Sequence, residues 1–207
     1  MNIGILIFDD VEVLDFCGPF EVFSSAAMIA EEAGATPPIT VFLVAERAGL
    51  VKCVGGLKVQ PDYTIDDHPP IDLLLVPGGW GTRREVDNPR LIEWIRAQDA
   101  HSQLTTSVCT GAFMLGRAGL LEGHRATTHW ASIERLRQSL PTVTVLENTR
   151  YVDEGKIVTS AGISAGIDMA LHLVGRLYSE EIARQTARRM EYTPATEGQA
   201  LPTSRLI

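Results

Sequence analysis

Three runs rich in apolar residues constrain this chain more than any other feature, NIGILIF (2–8), ITVFLVAE (39–46) and IDLLLVPGG (71–79), and QLTTSV (103–108) reads as a further strand. Runs apolar throughout, rather than at every second residue, need burial on both faces of a sheet. Helical patterns lie between and after them. Residues 19–33 read as a helix ended by TPP at 36–38, and residues 9–18 read as the link before it. NPRLIEWIRAQDA (88–100) reads as a helix with Asn88 as cap and Pro89 at its first position. Residues 110–118, 131–140, 163–178 and 179–192 complete the helices, with Pro141 stopping the second of these. Gly55-Gly56 between two alternating runs predicts a small hairpin within 50–65. RATTHW (125–130) reads as a short extended piece. Strands are expected at 143–148 and 150–161, the second turning at Asp153-Glu154-Gly155. Strands alternating with helices predict an α/β architecture, a mostly parallel sheet with helices on both faces. Residues 1–192 are expected to form one domain and 193–207 a tail.

Composition narrows the function. The chain has 207 residues, 45% hydrophobic and 21% charged, enough for one soluble domain with a substantial core. A net charge of −8 gives no electrostatic reason to approach nucleic acid or an anionic membrane. The N-terminus carries no basic region, and Asp9 interrupts its apolar run, so it does not read as a signal peptide. The apolar stretches read as too short for a bilayer span, and a cytoplasmic protein is expected. The three cysteines, Cys17, Cys53 and Cys109, are widely spaced with no CxxC pair, which suggests neither a metal site nor a disulfide framework.

Ligands of such sheets sit beyond the carboxyl ends of the strands, and three features fall there: Asp15, Gly78-Gly79 and Cys109. Cys109 stands where the strand 103–108 turns into a helix. Free cysteine is often simply buried, but a helix N-terminus offers unpaired N–H groups and a positive dipole end, and both favour the thiolate. Cys109 is therefore read as a nucleophile, with Gly111 allowing close backbone approach behind it. Asp15 reads either as an acid near a helix start or as a proton carrier for the thiol. The amides of Gly78, Gly79 and Thr110 are candidates to hold developing negative charge, and the glycine pair alternatively makes an ordinary turn. Trp80 is a candidate pocket wall. His129 is a candidate base for Cys109 or a structural histidine; His68, His101, His124 and His172 lack supporting context. GISAG (162–166) matches the G-x-S-x-G pattern, but no acid-then-histidine pair follows Ser164, so its glycines are read as helix–sheet packing.

The segments SVCTGAFMLGRAGLLEGHRATTHW, LDFCGPFEVF, LLLVPGGWG and TSAGISAGIDMALHLV together resemble the DJ-1/PfpI superfamily over roughly residues 2–192. Within it the chain is most similar to the isocyanide hydratases, through the Cys109-Thr110 pair, Asp15, the ATTHW segment and Glu191-Tyr192 preceded by arginines. The resemblance implies a flavodoxin-like sandwich, a homodimer and no cofactor. It implies hydration of a small isocyanide to an N-substituted formamide, with Cys109 attacking, Asp15 shuttling protons, Thr110 steadying Asp15 or the substrate, and Ile163 joining Trp80 in an apolar pocket. Thr110 stands where the protease branch carries histidine, which argues against peptidase activity. Asp15 stands where the DJ-1 branch carries glutamate. Cys17 stands where relatives carry another small residue, and the tail after Tyr192 lacks a proline-rich ending. Other functions remain open at this level: a ligand-sensing domain like those of AraC-type regulators, a glyoxalase- or deglycase-like protein, or a redox sensor using Cys109.

Overall fold

The computed structural model describes residues 1–195. Strand β1 (Asn2–Ile7) leads into helix α1 (Val13–Glu32), then β2 (Thr40–Ala45). A hairpin, β3 (Val51–Lys52) and β4 (Lys58–Val59), turns at Gly55-Gly56, followed by β5 (Tyr63–Thr64) and β6 (Leu73–Val76). A short α2 (Thr82–Glu85) and α3 (Pro89–His101) precede β7 (Leu104–Val108) and α4 (Gly111–Arg117). Then come β8 (Arg125–Ala126), α5 (Ile133–Ser139), β9 (Thr144–Val145), β10 (Tyr151–Asp153), β11 (Ile157–Ser160), α6 (Ala165–Leu177) and α7 (Glu180–Arg189).

Seven strands form one sheet in the order β10-β11-β7-β6-β1-β2-β5. Every pair is parallel except β10–β11. The parallel strands β2-β1-β6-β7-β11 follow the flavodoxin-like order, so the expected α/β sandwich is the observed one. The chain moves one way from β1 to β2 and the other way from β6 to β7. Right-handed crossovers therefore place α1 on the face opposite α3 and α4. In agreement, α1, α6 and α7 pack together, and α3 packs with α4. All four residues of β6 and the run Ile5–Ile7 of β1 are shielded from solvent. The direction of winding reverses between β1 and β6, and the carboxyl ends of these strands flank a crevice.

Several boundaries differ from the sequence expectation for identifiable reasons. Helix α1 starts at Val13, not at 19, and takes Pro19 into its interior. It therefore absorbs most of the expected link and carries Asp15 in its first turn. The tight contact of Gly18 with Ile167 of α6 supplies the packing that outweighs the proline penalty. Its 20 residues reach the length and apolar content of a membrane span, contrary to the expectation that no stretch does, and 56% of that window is buried inside the protein. The expected strands around 125–130 and 143–148 shrink to a separate two-stranded ladder, Arg125↔Thr144 and Ala126↔Val145. Beyond it Trp130–Ser132 forms a 3-10 turn. Asn88 caps α3 by accepting from Arg90 N–H, and Ser179 caps α7 by accepting from Ile182 N–H. Of the expected tail, residues 196–207 lie outside the described residues.

One buried ion pair ties the C-terminal segment to this core. Asp168 of α6 accepts from Arg150 Nε at 2.7 Å and also from its Nη2, from Tyr192 Oη at 3.0 Å and from Ala195 N–H at 2.8 Å. Both charged residues are shielded from solvent. Asp168→Ala strands the Arg150 guanidinium and is expected to lower unfolding free energy by about 3–5 kcal/mol. A urea titration checks this, and a loss below about 1 kcal/mol would show that the pair contributes no more than a surface one.

Candidate active site

Asp15 in the first turn of α1, Gly78 after β6 and Cys109 after β7 meet in the crevice. Asp15 is inaccessible to solvent. Its Oδ2 accepts the Gly78 N–H at 2.9 Å, while Oδ1 is buried without a hydrogen-bond partner. Desolvation pushes its pKa up to about 7, and the nearby charge of Glu12 adds to the rise. The Gly78 amide, the Cys109 thiol and the Ile163 amide pull the other way and lose. Position 78 must be glycine: a Cβ there would lie 2.5 Å from Thr110 N, 2.7 Å from Thr110 Oγ1 and 2.9 Å from Asp15 Oδ2.

Cys109 sits at the elbow between β7 and α4 with φ of 56°, a conformation unfavourable for a side chain with a Cβ. The elbow is held from both sides. Cys109 N–H donates to Ser160 O at 3.2 Å, and Cys109 O accepts from Thr128 Oγ1 at 2.7 Å. Gly111 permits the tight turn, since a Cβ there would lie 2.1 Å from Val76 O. The thiol is buried and in contact with Asp15. Burial and the Asp15 charge raise its pKa well above the ordinary thiol range, against the lowering donors of Thr110. This corrects the expectation of a helix-stabilised thiolate. Helix α4 has only 7 residues, and its N-terminus is outweighed by desolvation and a facing carboxyl.

The glycine amides are likewise not bare. Gly78 N–H is used on Asp15, and Gly79 N–H donates to Thr110 Oγ1 at 3.1 Å. The hydroxyls of Thr82 and Thr110 lie 3.0 Å apart, and Thr82 Oγ1 also reaches Gly79 O at 2.8 Å. Thr110 is thus locked by the loop after β6, and its own N–H is the one expected donor that faces the sulfur. Gly79, at φ of 128°, leaves no room for a side chain, its Cβ position being 2.4 Å from Asp10 O.

A cleft of about 300 Å³ opens above Cys109, lined by Glu12, Gly79, Trp80, Arg83, Thr110, His129, Ala131, Ser132 and Ile163. Trp80 and Ile163 stand at its wall, both exposed, with Ile163 in a left-handed conformation at φ of 52°. His129 lines the cleft but makes no hydrogen bond to Cys109; its Nδ1 accepts from Ala131 N–H at 3.3 Å. Burial lowers its pKa, more than the Glu12 charge restores. Its ring packs on Gly162, where a Cβ would lie 2.1 Å from His129 Cδ2. Gly166 packs against Val108 and Pro19, which agrees with the packing role read for GISAG. Glu12, Arg83 and Ser132 were not legible as site residues: each follows a loop or short turn whose path only tertiary contacts decide. Among the described residues no group of three or more His, Cys, Asp or Glu side chains is placed to hold a metal ion.

Comparison with known proteins places the chain among relatives of known sequence and structure. The DJ-1/PfpI family matches residues 1–176. Isonitrile hydratase of Pseudomonas putida is 38% identical over 196 residues, covering 94% of this chain and 80% of that protein. The HTH-type transcriptional regulator GbdR of Pseudomonas aeruginosa is 32% identical over 137 residues, which span 66% of this chain but 37% of the regulator. Among solved structures, a THiJ/PfpI family protein from Pseudomonas syringae superposes with a TM-score of 0.82 at 28% identity, covering 94% of this chain and 76% of that one. An AraC family transcriptional regulator from Pseudomonas putida, at 19% identity and a TM-score of 0.79, shares the fold.

The state of Asp15 has a consequence for stability. Its carboxyl titrates at about 7 in the folded chain, against the ordinary 3.8. Between these values the folded state holds a proton that the unfolded state has released, so stability falls as pH rises through the interval. Asp15→Asn removes this titration. The variant is expected to be more stable than wild type at pH 8 by a few kcal/mol, on the order of 2–4, with the gap closing towards pH 4. Urea unfolding across that range checks it; a gap independent of pH would contradict the assignment.

Proposed function

The chain belongs to the DJ-1/PfpI family, and on that premise we propose that it is a cysteine-dependent isocyanide hydratase that needs no cofactor. The observation that carries this reading is the contact between a buried carboxyl titrating near 7 and a thiol at the floor of a small cleft. The likeness to isonitrile hydratase over most of both chains supports it. A carboxyl with this proton affinity can both take and return a proton at neutral pH, which is what a proton shuttle requires.

The reaction proceeds in two halves. In the first, the Asp15 carboxylate takes the Cys109 proton as sulfur bonds to the terminal isocyanide carbon. Asp15 then delivers that proton to the same carbon, giving a thioimidate, R–N=CH–S–Cys109. The high proton affinity of the thiol keeps it neutral until substrate enters, and expulsion of water from the cleft strengthens the Asp15 interaction. In the second half, water adds to the thioimidate carbon while Asp15 accepts one of its protons. Asp15 passes that proton to the nitrogen; as the C–S bond breaks and the carbonyl forms, the remaining hydroxyl proton goes to Asp15 and from there to sulfur. The net change is one isocyanide plus one water to one N-substituted formamide. The Thr110 amide faces the sulfur, and its locked hydroxyl holds the elbow in register. Ile163 and Trp80 supply apolar walls for the substrate body, and His129 completes the rim. The reaction takes place in one chain's cleft, within an expected homodimer of a cytoplasmic protein.

A second reading is a ligand-sensing module that does no chemistry; the chain also resembles parts of two HTH-type transcriptional regulators, spanning 37% of one and 41% of the other. The raised proton affinity of the Cys109 thiol favours it, because a protonated thiol is a weak nucleophile at rest. Turnover separates the two. Wild type is expected to convert phenyl isocyanide to N-phenylformamide, with Cys109→Ala devoid of activity and Asp15→Asn reduced by about 10²–10⁴ in kcat. Formamide appearance followed by chromatography reads the outcome, and absence of turnover in wild type transfers the weight to ligand sensing.

A further inference from the structure

Beside the Cys109 cleft lies a second cavity of about 480 Å³, between α2, α4 and α5, lined among others by Thr82, Arg83, Phe113, Arg117 and Arg135. The two spaces adjoin. Arg83 lines both, and the Thr82 hydroxyl of the second lies 3.0 Å from the Thr110 hydroxyl of the first.

The arginines are arranged as ligand donors. The Arg83 guanidinium lies 4.3 Å from the Trp80 ring centroid and that of Arg135 lies 4.2 Å from Phe113. Stacking on a ring fixes the guanidinium plane and leaves its N–H edge for hydrogen bonding. Among the described residues neither Arg83 nor Arg135 forms an ion pair with a carboxylate. Arg135 Nε is in addition buried with no acceptor. A buried cationic N–H left without an acceptor is destabilising, and the charge of Arg83 repels that of Arg135. An anion seated between the two guanidinium groups offsets their mutual repulsion. Arg117 differs, being paired at 3.8 Å with exposed Asp87. The Asp87 charge in the same cavity favours a monoanion over a dianion. Val86, Phe113 and Leu140 give the remaining walls an apolar character suited to a hydrocarbon body.

We infer that this cavity is the subsite for a carboxylate carried on the substrate, held by Arg135 and Arg83 while the reacting end of the same molecule reaches Cys109. Resting on the hydratase reading, this makes the substrate class a carboxylate-bearing isocyanide rather than a wholly apolar one.

The test has a binding arm independent of turnover. Isothermal titration of benzoate into the full chain is expected to show binding that weakens about tenfold in Arg135→Gln and recovers in part in Arg135→Lys. No benzoate binding by wild type, or equal binding by Arg135→Gln with its thermal unfolding unchanged, overturns the subsite. The kinetic arm compares para-isocyanobenzoate with phenyl isocyanide. The ratio of their kcat/KM values is expected to fall about tenfold in Arg135→Gln, mainly through KM. A ratio that stays constant while benzoate binding drops overturns the assignment to the substrate's own carboxylate. If neither isocyanide is turned over, it is the hydratase reading that fails, and benzoate binding still decides the subsite.

Discussion

The hydrogen bond from the Gly78 amide to the buried Asp15 carboxyl fixes the relation between the first strand–helix unit and the rest of the sheet. It joins the first turn of α1 to the end of β6 across the point where the winding direction reverses. A carboxyl placed there without water carries a high proton affinity, and one amide does not restore the ordinary value. Its second oxygen is buried without a hydrogen-bond partner. Glycine at 78 is the condition for this contact, since the space a Cβ would need is filled by the carboxyl and by Thr110.

Strain gathers around the same contact. Cys109, Ile163 and Gly79 all have positive φ, and all three line the cleft. A β-branched residue such as Ile163 does not adopt this conformation unless its surroundings impose it. The imposing structure is the parallel pairing of β7 with β11, extended by the Cys109 bond to Ser160 and the Thr128 bond to the Cys109 carbonyl. The rigid centre of the sheet thus holds the strained elbow that carries the sulfur at the floor of the cleft.

Charge is distributed unevenly over the molecule. The chain as a whole is acidic, yet the helices beside the cleft carry arginines stacked on rings. Net charge therefore says little about the local field a small ligand meets, whereas the desolvated groups at the strand ends and their unpaired neighbours determine it.

Much of this was readable from residue order. Continuous apolar runs must be buried on two faces, so NIGILIF, ITVFLVAE and IDLLLVPGG announced parallel strands, and Asn88-Pro89 announced the start of α3. Asp15, Gly78-Gly79 and Cys109 were identifiable because ligands of such sheets gather beyond strand ends. The start of α1 was misjudged because Pro19 reads as a breaker, and only the close packing of Gly18 on α6 shows why the helix runs through it. The state of the thiol was also beyond the sequence. A helix N-terminus is a local feature and favours thiolate, but burial and a facing carboxyl depend on residues far apart in the chain, and they prevail. The sequence by itself determined the alternation of strands and helices, the mostly parallel sheet it implies and the candidate residues at the strand ends, because these follow from local periodicity and turn chemistry. Tertiary structure alone decided which N–H groups remain free, where protons reside and which arginines face one another, because desolvation and electrostatics are set by distances between segments that sequence does not contain.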